Sequence, residues 1–190
     1  MKIKKYKTDT ATLKITASKN TNATEGGLCI MASETDIQAI HDSMFTWRDY
    51  WKVRVEGKVT SMTLYYNPKY KPGTILHGKR TIEAHEKKHA EINKKGWNRF
   101  AGKVNKYEET GLCKVVADAQ VTLVKAFRKY QTIKLNIENT EWDIDEYENS
   151  PKLKTKYQAE LATLNTNLQT AQTEWNTAYT HWLKVGGVAR

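Results

Sequence analysis

The chain contains little cysteine, little proline and no long apolar run. Its 190 residues include two cysteines and three prolines. Two cysteines are too few for a cysteine-rich zinc module or a disulfide-dense scaffold. No apolar run reaches the roughly 18 residues that a membrane-spanning helix needs. With 39% hydrophobic and 27% charged residues, the composition excludes a disordered chain and indicates one globular domain over residues 1–190.

Acidic residues are also in the minority. The chain has 31 Lys and Arg against 21 Asp and Glu, a net charge of +10, which is compatible with an anionic partner. Because the lysines are spread along the whole chain, we interpret them as an ordinary basic surface and expect no nucleic-acid partner. The basic residues 1–7 begin like a secretory signal, but no apolar stretch follows. We therefore expect either a cytoplasmic protein or one whose leader was removed.

Residues 1–75 are predicted to form a small antiparallel β region. Residues 11–17 alternate between apolar and polar side chains, and the polar residues 20–27 indicate a loop. Residues 47–55 and 59–66 alternate in the same way on either side of a turn signal, Glu56-Gly57. This pattern predicts a β-hairpin.

A helical period appears in four other segments. Apolar residues spaced by three or four predict a short helix over 34–44 and long helices over 80–108, 112–137 and 157–182. The acidic residues 138–150 interrupt this period and are predicted to connect the last two helices. A small β region followed by three long helices over 76–190 predicts an α+β fold.

The most specific motif is His85-Glu86-Lys87-Lys88-His89, which has the form HExxH. Residues i and i+4 of a helix share a face, so both imidazoles can bind one Zn²⁺. Glu86 lies beside that face, where its carboxylate can act as general base and then as general acid. The alternative is that both histidines are polar positions on a charged helix. The apolar stripe passes through both of them, and this favours the metal interpretation.

A catalytic zinc site needs a third protein ligand. The metzincin extension is absent, because Ile92 and Lys95 stand where that motif has glycine and histidine. A thermolysin-like choice, Glu108 or Glu109, would lie about 30 Å from His89 along an unbroken helix. Both are therefore rejected.

An antiparallel pair of helices that turns near Thr110 brings residues near Ile133 opposite the motif. The acidic stretch just beyond, residues 138–148, then passes close to the metal. We predict that one of its carboxylates completes the site, and the others would orient the histidines or remain solvated. The first choice is Asp143, and the alternates are Glu148, Asp145 and Glu141.

These motifs resemble a bacterial family of predicted secreted zinc-dependent proteases, catalogued as a domain of unknown function. The resemblance covers about residues 47–149: a Trp-rich β segment, HExxH, Cys113 at the start of the next helix, and Trp142-Asp143 where the family has Tyr-Asp. Glu148-Asn149 stand at the family's His-Gly pair. The resemblance implies a zincin-like fold and a secreted or periplasmic peptidase. Its third ligand would be Asp143, or Glu148 in place of the histidine.

Several further residues are weighed as site candidates. Tyr147 is the preferred donor to an oxyanion. His77 precedes the motif helix, and we expect it to be exposed. His41 and His181 lie in helical, polar contexts, and we expect no catalytic role for them. Six tryptophans either line a binding groove or pack helices together, and packing is the preferred interpretation. They are Trp47, Trp51, Trp97, Trp142, Trp175 and Trp182.

The sequence thus predicts a zinc metallopeptidase that acts on peptide or protein substrates. Two alternatives remain open. One is a non-enzymatic helical protein that binds a helical or anionic partner, and the other is a structural or degenerate zinc site. Cys29 and Cys113 either form one disulfide or are two buried thiols.

Overall fold

The computed structural model describes residues 15–19, 26–42 and 49–189. Its α+β class agrees with the prediction. Predicted strand residues 11–14 and loop residues 20–25 lie outside the described ranges, as do residues 43–48. The elements in chain order are β1 (Ile15–Lys19), β2 (Gly27–His41), β3 (Trp51–Tyr66), α1 (Ile82–Val104), a 3-10 turn (Asn105–Tyr107), β4 (Glu109–Leu112), α2 (Lys114–Glu146) and α3 (Pro151–Lys184).

The four described strands form one sheet with β3 at its centre. β3 pairs antiparallel with β2 along nearly its whole length, and its first residues also pair antiparallel with β4. β1 lies on the other side of β3 from β2 and runs parallel to it. The expectation of a purely antiparallel β region is therefore wrong for β1, because the chain reverses direction twice between β1 and β3, once before β2 and once after it.

Two local predictions in the β region are wrong. Residues 34–41 of the predicted short helix over 34–44 belong instead to strand β2, in which Ile37 lies opposite the fully buried Val55, and residues 43–44 lie outside the described ranges. Cross-strand burial outweighs a helical spacing that is only about three turns long. The turn signal Glu56-Gly57 is also overridden, because both residues pair with β2 in the middle of β3. The hairpin joins β2 to β3, not 47–55 to 59–66.

The three predicted long helices are present, but α1 ends at Val104, before the predicted residue 108, and α3 begins at Pro151, before the predicted residue 157. α1 begins after Thr81, whose side chain accepts a hydrogen bond from the Ala84 backbone N–H. α2 does not end before the acidic stretch but continues through it to Glu146. Pro151 opens α3, at a position where its missing N–H costs nothing. In the described ranges, every helix is too polar or too short to span a bilayer.

The main core lies between the inner face of the sheet and helices α1 and α2. Val53 and Val55 of β3 pack there with Trp97 and Phe100 of α1, all 1% exposed or less. Truncating a side chain such as Phe100 to alanine costs about 3–5 kcal/mol of folding free energy. This core fixes the position of α1 relative to α2, and these two helices carry the residues of the site.

Helix α3 packs along α2 in a second cluster. Trp182 is 3% exposed and donates its indole N–H to Gln120 Oε1 at 2.9 Å. Four of the described tryptophans pack in or against these clusters: Trp51, Trp97, Trp175 and Trp182. Trp47 lies outside the described residues. Trp142 lies instead beside the site.

Candidate metal centre

His85, His89 and Asp143 come together at one end of the α1–α2 pair, where they could hold a metal ion. His85 and His89 lie one turn apart on α1, and Asp143 projects from the last turns of α2. Asp143 Oδ1 lies 3.2 Å from His85 Nε2 and 3.0 Å from His89 Nε2. The two Nε2 atoms are 3.1 Å apart. Three donor atoms therefore form a nearly equilateral triangle.

This triangle fits a metal ion better than it fits hydrogen bonds alone. With metal–ligand distances of about 2.0–2.1 Å, two ligands of a tetrahedral ion lie about 3.3 Å apart, close to all three separations. Each neutral imidazole has one N–H, so hydrogen bonds cannot satisfy all three edges. If both Nε2 atoms carry hydrogens, two N–H groups face each other across 3.1 Å. A cation bound by all three atoms would be favourable to each of them.

A hydrogen-bond chain orients His89 for this role. Asn139 donates its Nδ2 hydrogens to Leu135 O and Asn93 Oδ1, each at 3.0 Å. Its Oδ1 is therefore left to accept from His89 Nδ1, at 2.6 Å. With the hydrogen on Nδ1, the neutral ring turns the Nε2 lone pair towards the triangle, as a metal ligand requires.

His85 lacks an equivalent partner. Its Nδ1 is buried, and no hydrogen-bonding group of the described residues reaches it. A small cavity lined by His77, Gly78 and Tyr147 borders the same ring. The two histidines are thus held differently: Asn139 fixes His89, whereas packing holds His85.

The electrostatics of the metal-free group show why the triangle attracts a cation. Burial lowers the pKa of His89, but the hydrogen bond and charge of Asp143 outweigh it and leave this pKa raised. Burial raises the pKa of Asp143, but hydrogen bonds from His85 and from the protonated form of His89 outweigh it and leave this pKa lowered. A carboxylate that is only 8% exposed therefore stays charged and needs positive charge beside it.

Glu86 lies in the wall of the same cavity as the triangle. The cavity has a volume of about 380 Å³, within the range of ligand-binding clefts. Glu86 is 4% exposed and packs on Gly27, where an added Cβ would lie 2.6 Å from both Glu86 Cγ and Oε1. The start of β2 therefore makes room for this carboxylate. The other lining residues come from α1, α2, the start of β2 and the first turns of α3.

Cys29 also lines the cavity, next to Glu86. Burial, together with the Glu86 carboxylate, raises the pKa of the Cys29 thiol to about 12. Cys113 is exposed at the start of α2, and both cysteines are free. Of the two alternatives, the disulfide is therefore absent, and only Cys29 is partly buried.

Aromatic rings close one side of the site. The Tyr147 ring lies 5.4 Å from the His85 ring and stacks on Tyr157 at 5.6 Å. Tyr147 is 6% exposed and lines the main cavity. Trp142 lies 6.3 Å from His85. These rings exclude water from one face of His85.

The other candidate residues lie outside the group. Glu141, Asp145 and Glu148 are exposed, because they lie on the outer face of α2 or just beyond its end. Lys79 pairs with both Asp145 and Glu148. The exposed His77 borders the small cavity behind His85, and His41 pairs with Asp49 at 3.1 Å. His181 lies in the last turn of α3.

The site contains residues that the sequence reasoning missed. Asn139 and Glu146 share a face of α2 with the predicted ligand Asp143, at the i, i+4 and i+7 spacing that signals a shared helical face. That signal is lost when the helix is ended at residue 137. The polar segment 20–27 predicts a loop at Gly27, and nothing in the sequence indicates the contact of Gly27 with Glu86.

Comparison with known proteins adds no relative: no protein-family model, no curated protein and no solved structure matches this chain. The resemblance to secreted zinc-dependent proteases therefore stays a hypothesis that rests on the motifs.

Proposed function

We propose that the protein is a zinc-dependent hydrolase, most simply a metallopeptidase. One observation carries the proposal: the donor atoms of His85, His89 and Asp143 lie 3.0–3.2 Å apart in the wall of a cavity that also contains Glu86. Three protein ligands facing a cavity are typical of catalytic metal sites, whereas structural zinc sites are closed by four.

The donor set supports Zn²⁺ as the metal. Two imidazole nitrogens and one carboxylate oxygen suit zinc, whereas Ca²⁺ and Mg²⁺ prefer oxygen ligands alone. A zinc ion held there would supply Lewis acidity, which polarises a carbonyl group and makes water nucleophilic near neutral pH.

Glu86 performs the proton transfers in this proposal. Its carboxylate takes a proton from the attacking water as the C–O bond forms, and delivers that proton to the leaving amine as the C–N bond breaks. Its burial against Gly27 restricts the carboxylate to the cavity wall. Tyr147 is the proposed donor to the oxygen that gains negative charge, because it lines the cavity beside His85.

The edge of the sheet supports a peptide as substrate. Among the described strands, β2 pairs only with β3, and residues 27–29 of β2 line the cavity. An extended peptide can add to such an open edge through main-chain hydrogen bonds. By its resemblance, the protein would act on peptides or proteins in the periplasm or outside the cell.

The test is hydrolysis of a mixed, quenched fluorescent peptide library by the zinc-loaded full chain. We expect Glu86→Gln to keep the metal and to lose at least about 100-fold in rate, since it cannot accept the proton. Tyr147→Phe should lose less and keep its stacking on Tyr157. The matched control is Glu91→Gln on the same helix, whose exposed side chain pairs with Lys88; it should hydrolyse as the wild type does.

Two outcomes would contradict the proposal. A Glu86→Gln variant that hydrolyses peptides at the wild-type rate would remove Glu86 from the chemistry. A zinc-loaded wild type that cleaves no peptide of the library would leave a structural or degenerate metal site.

A further inference from the structure

A buried carboxylate outside the metal group joins the end of α2 to the segment just before α1. Glu146 is 1% exposed and lies three residues beyond Asp143, at the end of α2. Its Oε1 accepts a hydrogen bond from the Arg80 backbone N–H at 2.6 Å, and its Oε2 accepts one from Arg80 Nη1 at 2.9 Å. Such burial is unfavourable without a partner, and Arg80 supplies both the charge and the donors.

The surroundings are shaped to this contact. A Cβ added at Gly78 would lie 2.5 Å from Glu146 Oε1, so only glycine leaves room for the carboxylate. The Arg80 guanidinium also lies 4.4 Å from the centre of the Trp142 ring. Residues 78–80 therefore contact residues 142–146 through packing, hydrogen bonds and a cation–π interaction.

This contact lies next to the start of the metal-binding helix. Thr81 caps α1, and the His85 backbone N–H donates to Thr81 O. The position of His85 relative to Asp143 therefore depends on how residues 78–81 sit against the end of α2. Metal ligands must lie within about 0.2 Å of their ideal distances. A small shift of residues 78–81 therefore changes the affinity of the three donor atoms for a metal ion.

We propose that Glu146 is a positioning residue for the metal group: its two hydrogen bonds to Arg80 set the separation between His85 and Asp143. This inference rests on the proposed metal site. Glu146 touches neither histidine through any contact described above, and it acts through Arg80 and the first turn of α1. An anion at the amino end of α1 is also favourable to the helix dipole.

The experiment measures two quantities on the full chain: the Kd for Zn²⁺, by competition with a chromophoric chelator, and the Tm in excess EDTA. Glu146→Gln keeps the side-chain size but loses the charge, and Gly78→Ala pushes on the same carboxylate from the other side. We expect each variant to raise the Kd by about 10-fold or more, as loss of outer contacts to a metal site typically does.

The control separates positioning from general stability. Trp182→Phe removes the buried hydrogen bond to Gln120. Gln120 lies about 35 Å from Asp143 along α2. It should lower the Tm without metal but change the Kd by less than about twofold, because distant sites act independently. If Glu146→Gln does not fold, Arg80→Leu provides the same test. It removes the hydrogen bond from the Arg80 side chain but keeps the one from the Arg80 backbone N–H, and the side chain that it replaces is 46% exposed.

The results distinguish this inference from the proposed function. Variants at Glu146 and Gly78 that bind zinc as tightly as the wild type would overturn the positioning role while the metal site stands. A Kd that rises in Trp182→Phe as much as in Glu146→Gln would also overturn it. A wild type that binds no zinc would overturn both proposals.

Discussion

Asn139 accepts the Nδ1 hydrogen of His89 at 2.6 Å, and its own amide hydrogens are committed to Leu135 O and Asn93 Oδ1. One asparagine thereby fixes both the tautomer and the ring orientation of a candidate metal ligand. Such partners are a regular part of metal sites.

Replacing Asn139 should therefore weaken metal binding without removing a ligand. We expect Asn139→Leu to raise the Kd for Zn²⁺ by about 10–100-fold, because His89 loses the acceptor that holds its hydrogen on Nδ1. Asn136→Leu is the control, since Asn136 is exposed and lines the same cavity one turn earlier. Equal affinities in Asn139→Leu and the wild type, measured by chelator competition, would contradict this account.

Gly27 should matter for hydrolysis more than for metal binding. A methyl group at this position would overlap Glu86 Cγ and Oε1, and the flexible carboxylate is the part that can move. We expect Gly27→Ala to bind zinc with little change but to lose about 10-fold or more in rate, because general-base catalysis needs hydrogen-bond reach. Gly73→Ala is the control, since open space surrounds that position. If both variants are equally active, Gly27 does not constrain Glu86.

The two cysteines should differ in their reaction with iodoacetamide. Cys113 is exposed, whereas the pKa of Cys29 is raised to about 12, so Cys29 has very little of the reactive thiolate at pH 7.5. Mass spectrometry of the EDTA-treated chain should find Cys113 alkylated at least about 10-fold faster than Cys29. In guanidinium without reductant both should react. A cysteine that resists labelling there would indicate a disulfide and contradict the structure.

The metal-free group should stabilise the fold most in a mildly acidic window. The lowered pKa of Asp143 gives stability that is present above its unfolded value, about 3.9, and is lost as the pH falls through the folded value. The raised pKa of His89 gives stability that is present below its unfolded value, about 6.5, and is lost as the pH rises through the folded value. Both contributions are complete only between about pH 4 and pH 6.5.

Asp143→Asn tests this window. In EDTA it should lower the free energy of unfolding by about 1.5–3 kcal/mol near pH 5.5, the size of a charged hydrogen bond, and by less above pH 8. Asp145→Asn is the matched control, because the Asp145 side chain is 64% exposed. An effect of Asp143→Asn that grows steadily from pH 5 to pH 9 would contradict the pKa shifts of this group.

The sequence predicts the helical half of the molecule better than the sheet. The apolar spacing that passes through His85 and His89 is a local pattern, and the helix that it predicts is present as α1. Asp143 was found because antiparallel helices of known rise bring distant residues opposite each other. Strand β2 was mistaken for a helix in part because Ile37 and Ile40 also fit a helical spacing, and only its pairing with β3 decides between the two.

The supporting residues of the site were harder to predict. Asn139 contacts α1 and Glu146 contacts Arg80 just before α1, in both cases more than 45 residues away in sequence, and no local pattern encodes such contacts. They fall on the same face of α2 as Asp143, but this is visible only when the helix is known to continue through the acidic stretch. Ending it at residue 137 concealed that face.

The central claim is that His85, His89 and Asp143 bind one metal ion together. Its most direct test is equilibrium binding of Zn²⁺ to the metal-free full chain, with metal content measured after gel filtration. The account predicts about one zinc ion per wild-type chain, and its loss in both His85→Ala and Asp143→Ala while Asp145→Ala binds as the wild type does. A wild type that retains no zinc, or an Asp143→Ala variant that retains as much as the wild type, would contradict it.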